Sequence, residues 1–263
     1  NLYKWIPMDT TYSLLSSLKG RQRQMDSVSN NLANVNTPGY KEDEVMFKEY
    51  FNSSIGQDLE SEEENFVHHE FISPANRGGA SFVMHDEVAQ KMGQGKFEYT
   101  GNDLDLAIQT KGFFVVQTPH GERYTRNGQF IRDPQGFLAN SNGHRLQGKE
   151  GPIQLNGKDF SVGTDGTVLV DNKKVAQMQI VDFQNPETLS RMGKSYWAPS
   201  TPDQKPIQLD DVIVKQGVIE GSNVDTVKEM VKMISVNRSF EASQKALRAI
   251  DELDDKAVSI ARV

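Results

Sequence analysis

The sequence predicts an α+β fold, with long N- and C-terminal helices paired as a coiled-coil-like core and a central antiparallel β-rich domain. Three observations predict it. Apolar residues recur at helical spacing from Leu14 to Val35 and stop at Thr37-Pro38-Gly39. From Ser222 to Ile260 there is neither proline nor glycine. Between these ends, Asn-Gly and Asp-Gly pairs recur, and such pairs supply the positive φ angles of tight antiparallel turns.

The N-terminal helix is read from Leu14, Leu18, Met25, Val28, Leu32 and Val35. Their three- and four-residue spacing fits a heptad seam, with Arg21 at one seam position. Asp9 or Thr10 is expected to cap its start, because either side chain can accept from an unpaired first-turn N–H. Proline disfavours helix in the residue before it and glycine permits a reversal, so Thr37-Pro38-Gly39 is the stop. This makes residues 1–41 the first segment.

Residues 42–102 are expected to be an extended acidic linker with β segments. From Glu42 to Glu64 nine acids face Lys48 alone, a local charge of −8 in a chain whose net charge is −7. Like charges hold such a stretch extended. It lacks the alternating ligands and turn glycine of an EF-hand loop, so calcium binding is not expected.

Residues 103–218 are expected to form the β domain. Phe113–Gln117 precedes His120-Gly121, Arg123–Arg126 precedes Asn127-Gly128, and Gln129–Arg132 precedes Asp133-Pro134-Gln135-Gly136. Asn142-Gly143, Asn156-Gly157 and Asp165-Gly166 continue the series, and Val175–Phe183 reads as one longer strand. Residues 219–263 then hold the second helix. Val227, Met230, Ile234, Val236, Phe240, Leu247, Ile250, Leu253, Ala257 and Ile260 mark its apolar positions, with Asp225 or Ser222 as cap. At 1.5 Å per residue it would run about 50 Å, and a helix that long requires a partner along its length.

Composition excludes several classes. The 263 residues contain no cysteine, which removes disulfides, thiolate metal sites and a cysteine nucleophile. The acidic balance argues against a nucleic-acid binder. Hydrophobic residues make up 36 %, and no window approaches the roughly 18 apolar residues of a membrane span. The N-terminal residues, which include Trp5, lack the apolar core of a secretory signal.

Candidate chemistry is sparse. His68-His69-Glu70 lacks a spaced third metal ligand, because adjacent side chains diverge. Gly93-Gln94-Gly95-Lys96 and Asn156-Gly157-Lys158 lack phosphate-loop spacing, and there is no nucleophile elbow. Asp103 and Asp105 alternate with Leu104 and Leu106, which suits acids on the wet face of a strand better than an acid–base pair. Phe113, Phe114 and Tyr124 are expected in the core, since no basic stripe accompanies them. No catalytic, cofactor-binding or metal residues are expected.

The most specific run is Asn30-Asn31-Leu32-Ala33-Asn34-Val35-Asn36-Thr37-Pro38-Gly39-Tyr40-Lys41. It resembles the N-terminal signature of the flagellar axial proteins: rod subunits, hook protein and hook-associated proteins. Glu220-Gly221-Ser222-Asn223-Val224-Asp225, with Glu229-Met230-Val231 and Arg238-Ser239-Phe240-Glu241, resembles the paired C-terminal signature. Leu104–Gln109, Lys111–Phe114 and Tyr124–Gly128 resemble the β domain shared by rod and hook subunits. The chain has no room for the hook protein's added outer domain. Glu220–Val224 and Gly151-Pro152-Ile153 look closer to the proximal-rod F type, with the distal-rod G type close behind.

The resemblance implies a non-enzymatic structural subunit of the basal-body rod, without cofactor, that stacks helically into a hollow, torque-transmitting shaft. Its implied partners are copies of itself, other rod subunits and the flagellar export apparatus, with no nucleic acid and no membrane insertion. Its implied place is the rod within the cell envelope and periplasmic space, reached without a cleaved signal peptide. On this reading Asn30, Asn31, Asn34, Thr37, Pro38, Gly39 and Tyr40 end the inner helix and orient the outgoing chain. Leu14, Leu18, Met25, Val28 and Leu32 pack against Phe240, Leu247, Ile250 and Leu253, leaving Val227 and Ile234 for neighbouring subunits. The alternatives are a distal-rod or hook-type subunit and, from another class, a secreted β-rich binding module. The second would need a sugar-binding aromatic face, for which Trp5 and Trp197 are the only tryptophans.

Overall fold

The computed structural model describes residues 8–51, 81–157, 159–193 and 195–260. It is α+β: helix α1 (Met8–Ala33), a run of short antiparallel strands, and helix α2 (Thr226–Ile260). The chain divides into two compact units. One gathers the described residues of Asn1–Met25, Val45–Glu87 and Ile234–Val263; the other holds Asp26–Glu44 and Val88–Met233. The division falls inside both helices, so the last turns of α1 and the first of α2 belong with the β domain.

In the first unit, Leu18 and Val236 are buried, while Leu14, Met25, Phe240, Leu247 and Ile250 are half-buried. Leu253, expected in the packed seam, is 64 % exposed. The acidic stretch after Glu42 begins as a strand: Asp43–Phe51 pairs with Ser81–Gln90. It is one of the β segments expected of residues 42–102, and its valine and two phenylalanines give it strand propensity. The remainder of the acidic run, His68-His69-Glu70 and Trp5 lie outside the described residues.

In the second unit the largest sheet runs in the order Ser190–Met192, Tyr196–Ala198, Gly121–Thr125, Phe113–Thr118, Arg145–Gly148, Leu138–Asn140, Phe130–Arg132. Ile180–Asp182 also pairs with Phe113–Thr118. A three-stranded sheet (Phe160–Val162, Thr167–Val170, Lys173–Gln177) and two short ladders complete it. The ladders are Leu106–Ile108 with Val214–Gln216, and Phe97–Tyr99 with Val218–Glu220.

Strand Phe113–Thr118 explains why the sequence there is a continuous apolar run. Phe114 and Val116 enter one core, with Leu106, Phe130, Leu138, Leu146 and Ile180. Phe113 and Val115 enter another, with Tyr124, Val181, Phe183, Leu189 and Trp197. Successive side chains point to opposite faces, and both faces are dry. Trp197 is fully buried, against Phe113 at a ring distance of 5.5 Å, and so offers no sugar-binding face.

Several turn expectations hold. Gly121, Gly136, Gly143 and Gly166 all have positive φ at strand reversals. Asn127-Gly128 is different: the flanking strands pair elsewhere, and a Cβ on Gly128 would lie 1.5 Å from the Leu106 carbonyl oxygen. That glycine serves close backbone approach, with Leu106 N–H donating to its carbonyl at 2.9 Å. The single strand expected over Val175–Phe183 is two, Lys173–Gln177 and Ile180–Asp182. The break falls at Met178, whose N–H donates to the Gly166 carbonyl. Asp105 is buried beside a bridge to Gln129 rather than on a wet face, because the strand starts only at Leu106.

Candidate assembly joint

The joint lies wholly within the second unit, where the end of α1, the turn after it and the start of α2 meet the β body. Both helix boundaries have clear local causes. Asp9 and Thr10, expected to cap α1, already lie inside it. At the other end of α1, Asn34 Nδ2 donates back to the Asn30 carbonyl at 2.8 Å, and Thr37 Oγ1 donates to Asn34 Oδ1 at 3.1 Å. Side-chain amides and hydroxyls compete with helical bonds in this way, which favours termination. α2 is capped by Asp225, whose Oδ1 accepts from the N–H groups of Val227 and Lys228 at 3.1 and 3.2 Å. Ser222 instead receives the N–H of Val224.

Gly39 is required twice over. Its φ is +68°, and a Cβ there would sit 2.4 Å from the backbone nitrogen of Asn127. Its N–H donates to the Glu220 carbonyl at 2.7 Å, so the turn after α1 lies against the strand that leads to α2.

Asn31 is the polar centre. Its Nδ2 donates to the Asp43 carbonyl at 2.9 Å and to Glu229 Oε2 at 3.1 Å. Its Oδ1 accepts from Asp43 N–H at 2.8 Å and from the Tyr40 hydroxyl at 3.2 Å. All four bonding positions of a side-chain amide are used. Tyr40 is buried, and the Arg191 guanidinium stacks over its ring at 4.3 Å. Arg191 also pairs with Asp43 at 2.7 Å and donates to the Lys41 carbonyl. Burial raises the Tyr40 hydroxyl above its ordinary pKa; the same cause raises Asp43, against the pull of Arg191.

Beneath the tyrosine lies a buried ion triad. Glu220 is fully buried, and its two oxygens receive Lys41 Nζ at 2.5 Å and Arg126 at 3.3 Å. Lys41, itself 1 % exposed, also donates to the Gly93 carbonyl at 2.8 Å. Arg126 also donates to the carbonyls of Ile108 and Thr110. Burial holds the pKa values of Lys41 and Arg126 below their ordinary ranges, although Glu220 acts to raise both. At the rim, Glu42 pairs with Lys232 at 2.8 Å and Lys91 at 3.3 Å. Asn223 ties the strands together, accepting from Glu42 N–H and donating to the carbonyls of Lys91 and Gly93.

A groove of about 530 Å³ opens beside the start of α2, lined by Val35, Gly95, Lys96, Asn223, Asp225 and Val227. Of the candidate residues, Asn31, Asn34, Thr37, Gly39 and Tyr40 come together here. Val28 is buried, Leu32 and Pro38 are half-buried, and Asn30 is exposed. Val227 and Ile234 are 70 % and 55 % exposed. The joint also depends on Lys41, Asp43, Arg126, Arg191, Glu220, Asn223 and Glu229, which the sequence reading did not single out as site residues. Lys41, Arg126 and Glu220 stand within the three stretches that carry the family resemblance, a charge in each. Arg191 carried no local signal. Among the described residues there is no group of three metal-ligating side chains and no helix long and apolar enough to cross a membrane.

A β body whose buried polar joint fixes the ends of two helices is the build of a structural subunit. The chain belongs to the flagellar basal-body rod protein family. Residues 12–41 match the model described as flagella basal body rod protein, residues 107–170 the flagellar hook protein FlgE/F/G D1 domain, and residues 215–260 the flagellar basal body rod FlgEFG protein C-terminal. The chain is 33 % identical to the flagellar basal-body rod protein FlgF of Caulobacter vibrioides, over 94 % of this chain and 95 % of that one. It is 30 % identical to FlgG of Bacillus subtilis, over 95 % and 98 %, and 28 % identical to FlgF of Mesorhizobium japonicum, over 95 % and 96 %. It is a structural protein of the basal-body rod, and the secreted binding module is not favoured.

Proposed function

We infer that the chain stacks helically, with copies of itself and with other rod subunits, into the hollow shaft that carries motor torque. The F type is favoured over the G type by Glu220–Val224 and Gly151-Pro152-Ile153. In this reading residues 1–41 and 219–263 form the inner tube, their helices paired as a coiled coil, and residues 103–218 lie outside it. The site residues from Leu14 to Leu253 then serve assembly. The subunit reaches the periplasmic part of the rod through the flagellar export apparatus.

One observation carries this reading beyond family membership. Val227, Met230, Val231 and Ile234 recur at the spacing of one helix face, and all four are exposed, Val227 to 70 % and Val231 to 62 %. A stripe of this kind marks an interaction surface, and open helical assembly needs a patch that meets a different patch on the neighbour.

A chromosomal deletion complemented with either the parent gene or Val227→Asp tests the reading. The acid sits in the first turn of α2, where the helix dipole favours it, so folding is preserved. Electron microscopy of basal bodies should show complete rods with the parent and none with the variant, while the purified variant melts as the parent does. Complete rods with Val227→Asp would overturn the assigned face, and normal flagella in the deletion would overturn the rod function itself.

A further inference from the structure

The three stretches that carry the family resemblance are far apart in the chain, yet each contributes one charge to one buried cluster. Lys41 closes the N-terminal signature, Arg126 lies in the middle motif and Glu220 opens the C-terminal one. Two cations and one anion meet where Lys41 and Glu220 are almost wholly inaccessible to water. A cluster of this kind is a poor stabiliser, because taking the charges out of water offsets most of their attraction. Its best-attested use is to fix register, since every misplaced arrangement strands a charge in the interior.

We propose that Lys41, Arg126 and Glu220 are positioning residues that set the register in which both helix ends are seated on the β body. The inference rests on the assembly reading above and deepens it. The surrounding bonds say why the register depends on this cluster. Lys41 follows the turn of Gly39 directly, and Glu220 supplies both the carbonyl that holds Gly39 and the carboxylate that holds Lys41. Glu220 Oε1 also accepts from Gly95 N–H at 3.0 Å. The apolar faces nearby tolerate a slip, because hydrophobic attraction is non-directional. The triad does not: a shift of one residue turns the Glu220 side chain to the other face of its strand, leaving Lys41 and Arg126 facing each other without an anion.

The double variant Lys41→Met/Glu220→Met removes the lock while taking out one cation together with one anion, so the net charge of the cluster is unchanged and Asp182 still attracts Arg126. Gly93 still accepts from Asn223, and Arg126 keeps the Ile108 and Thr110 carbonyls. The chain has no cysteine, so spin labels can be placed cleanly at Ser29→Cys with Lys173→Cys, and at Lys228→Cys with Lys173→Cys. In the full-length double variant the melting temperature should fall much less than in Glu220→Met alone, which strands two buried cations. Both label-to-label distance distributions should broaden about twofold or more in the double variant, with rod assembly reduced about tenfold or more. Narrow, parent-like distances in the double variant would overturn the proposal, as would a melting temperature as low as that of Glu220→Met alone, which would show that the cluster acts on stability rather than register. Broadened distances with undiminished rod assembly would overturn the claim that assembly needs this register, whereas normal rods in the deletion strain would overturn the assembly reading itself.

Discussion

Strand Phe113–Thr118 and the segment Asn31–Lys41 lie in the same unit and both bury large side chains, but they are held by different forces. The strand is fixed by shape: rings meet at 5.4 and 5.5 Å on its two faces, and the only demand on each neighbour is apolar volume. The segment is fixed by direction: Asn31, Tyr40 and Lys41 each need particular donors and acceptors at particular places. A shape-held region tolerates substitution and loses stability in proportion to volume removed. A direction-held region tolerates little, and what it loses first is geometry. The β body supplies stability, and the joint spends part of it to orient the helices.

The largest break should come from the strand. Phe114→Ala opens a cavity against Phe130 in the larger core and should cost about 3–5 kcal/mol. Denaturant unfolding should show that loss as a lower midpoint with unchanged slope, spread over the whole unit. A cost below about 1 kcal/mol would mean the core collapses around the gap, contrary to its dense packing.

This difference also explains what the sequence disclosed. Shape-held elements leave periodic traces, so both helices, the β character of the middle and the buried Phe113, Phe114 and Tyr124 were legible. Turns built on glycine were legible too. The reversal at Asp171-Asn172 was not, because two non-glycine residues take left-handed φ values of 50° and 62° there. The strand starting at Asp43 falls among the β segments expected of residues 42–102, but its position was hidden because its acids dominate the composition. In the joint, the signature announced a helix stop and an aromatic anchor. Its partners Arg191 and Glu229 lie about 150 and 200 residues away in the chain. No local pattern encodes such a meeting.

A smaller and more local loss should follow from Asn31→Leu. Leucine matches the volume but removes four bonds, leaving Asp43 N–H and Glu229 Oε2 short of a partner in a dry site. The cost should be about 2–3 kcal/mol. Unlike the core variant, it should appear unevenly in hydrogen exchange. Amides of residues 26–44 and 221–233 should exchange faster, while those of Phe113–Thr118 keep their protection. Uniform loss across the unit would show that the joint and the strand form one cooperative whole, and the contrast between them would fail.

The smallest effect is at the rim, where charge can be tuned by pH. Burial would raise the pKa of Glu42, but the hydrogen bonds and charges of Lys232 and Lys91 outweigh it and hold the carboxyl below its ordinary value of 4.5. The unfolded chain therefore binds a proton before the folded one does. The stabilisation is complete above about pH 4.5 and is lost as pH falls through the lower folded value. Its neighbour Asp43 acts in the opposite sense: burial raises its pKa, so acid favours the folded form at that position. The two nearly adjacent acids partly cancel in the parent, and only a difference measurement separates them. Both lysines are nearly half exposed to solvent, so Glu42→Gln should cost no more than about 1 kcal/mol at neutral pH. That gap should be flat above pH 4.5, close on the acid side, and shrink in high salt, where exposed pairs are screened. A gap that persists at low pH would show that Glu42 acts through its half-buried stem and backbone placement rather than its charge. The rim would then belong with the shape-held part of the molecule.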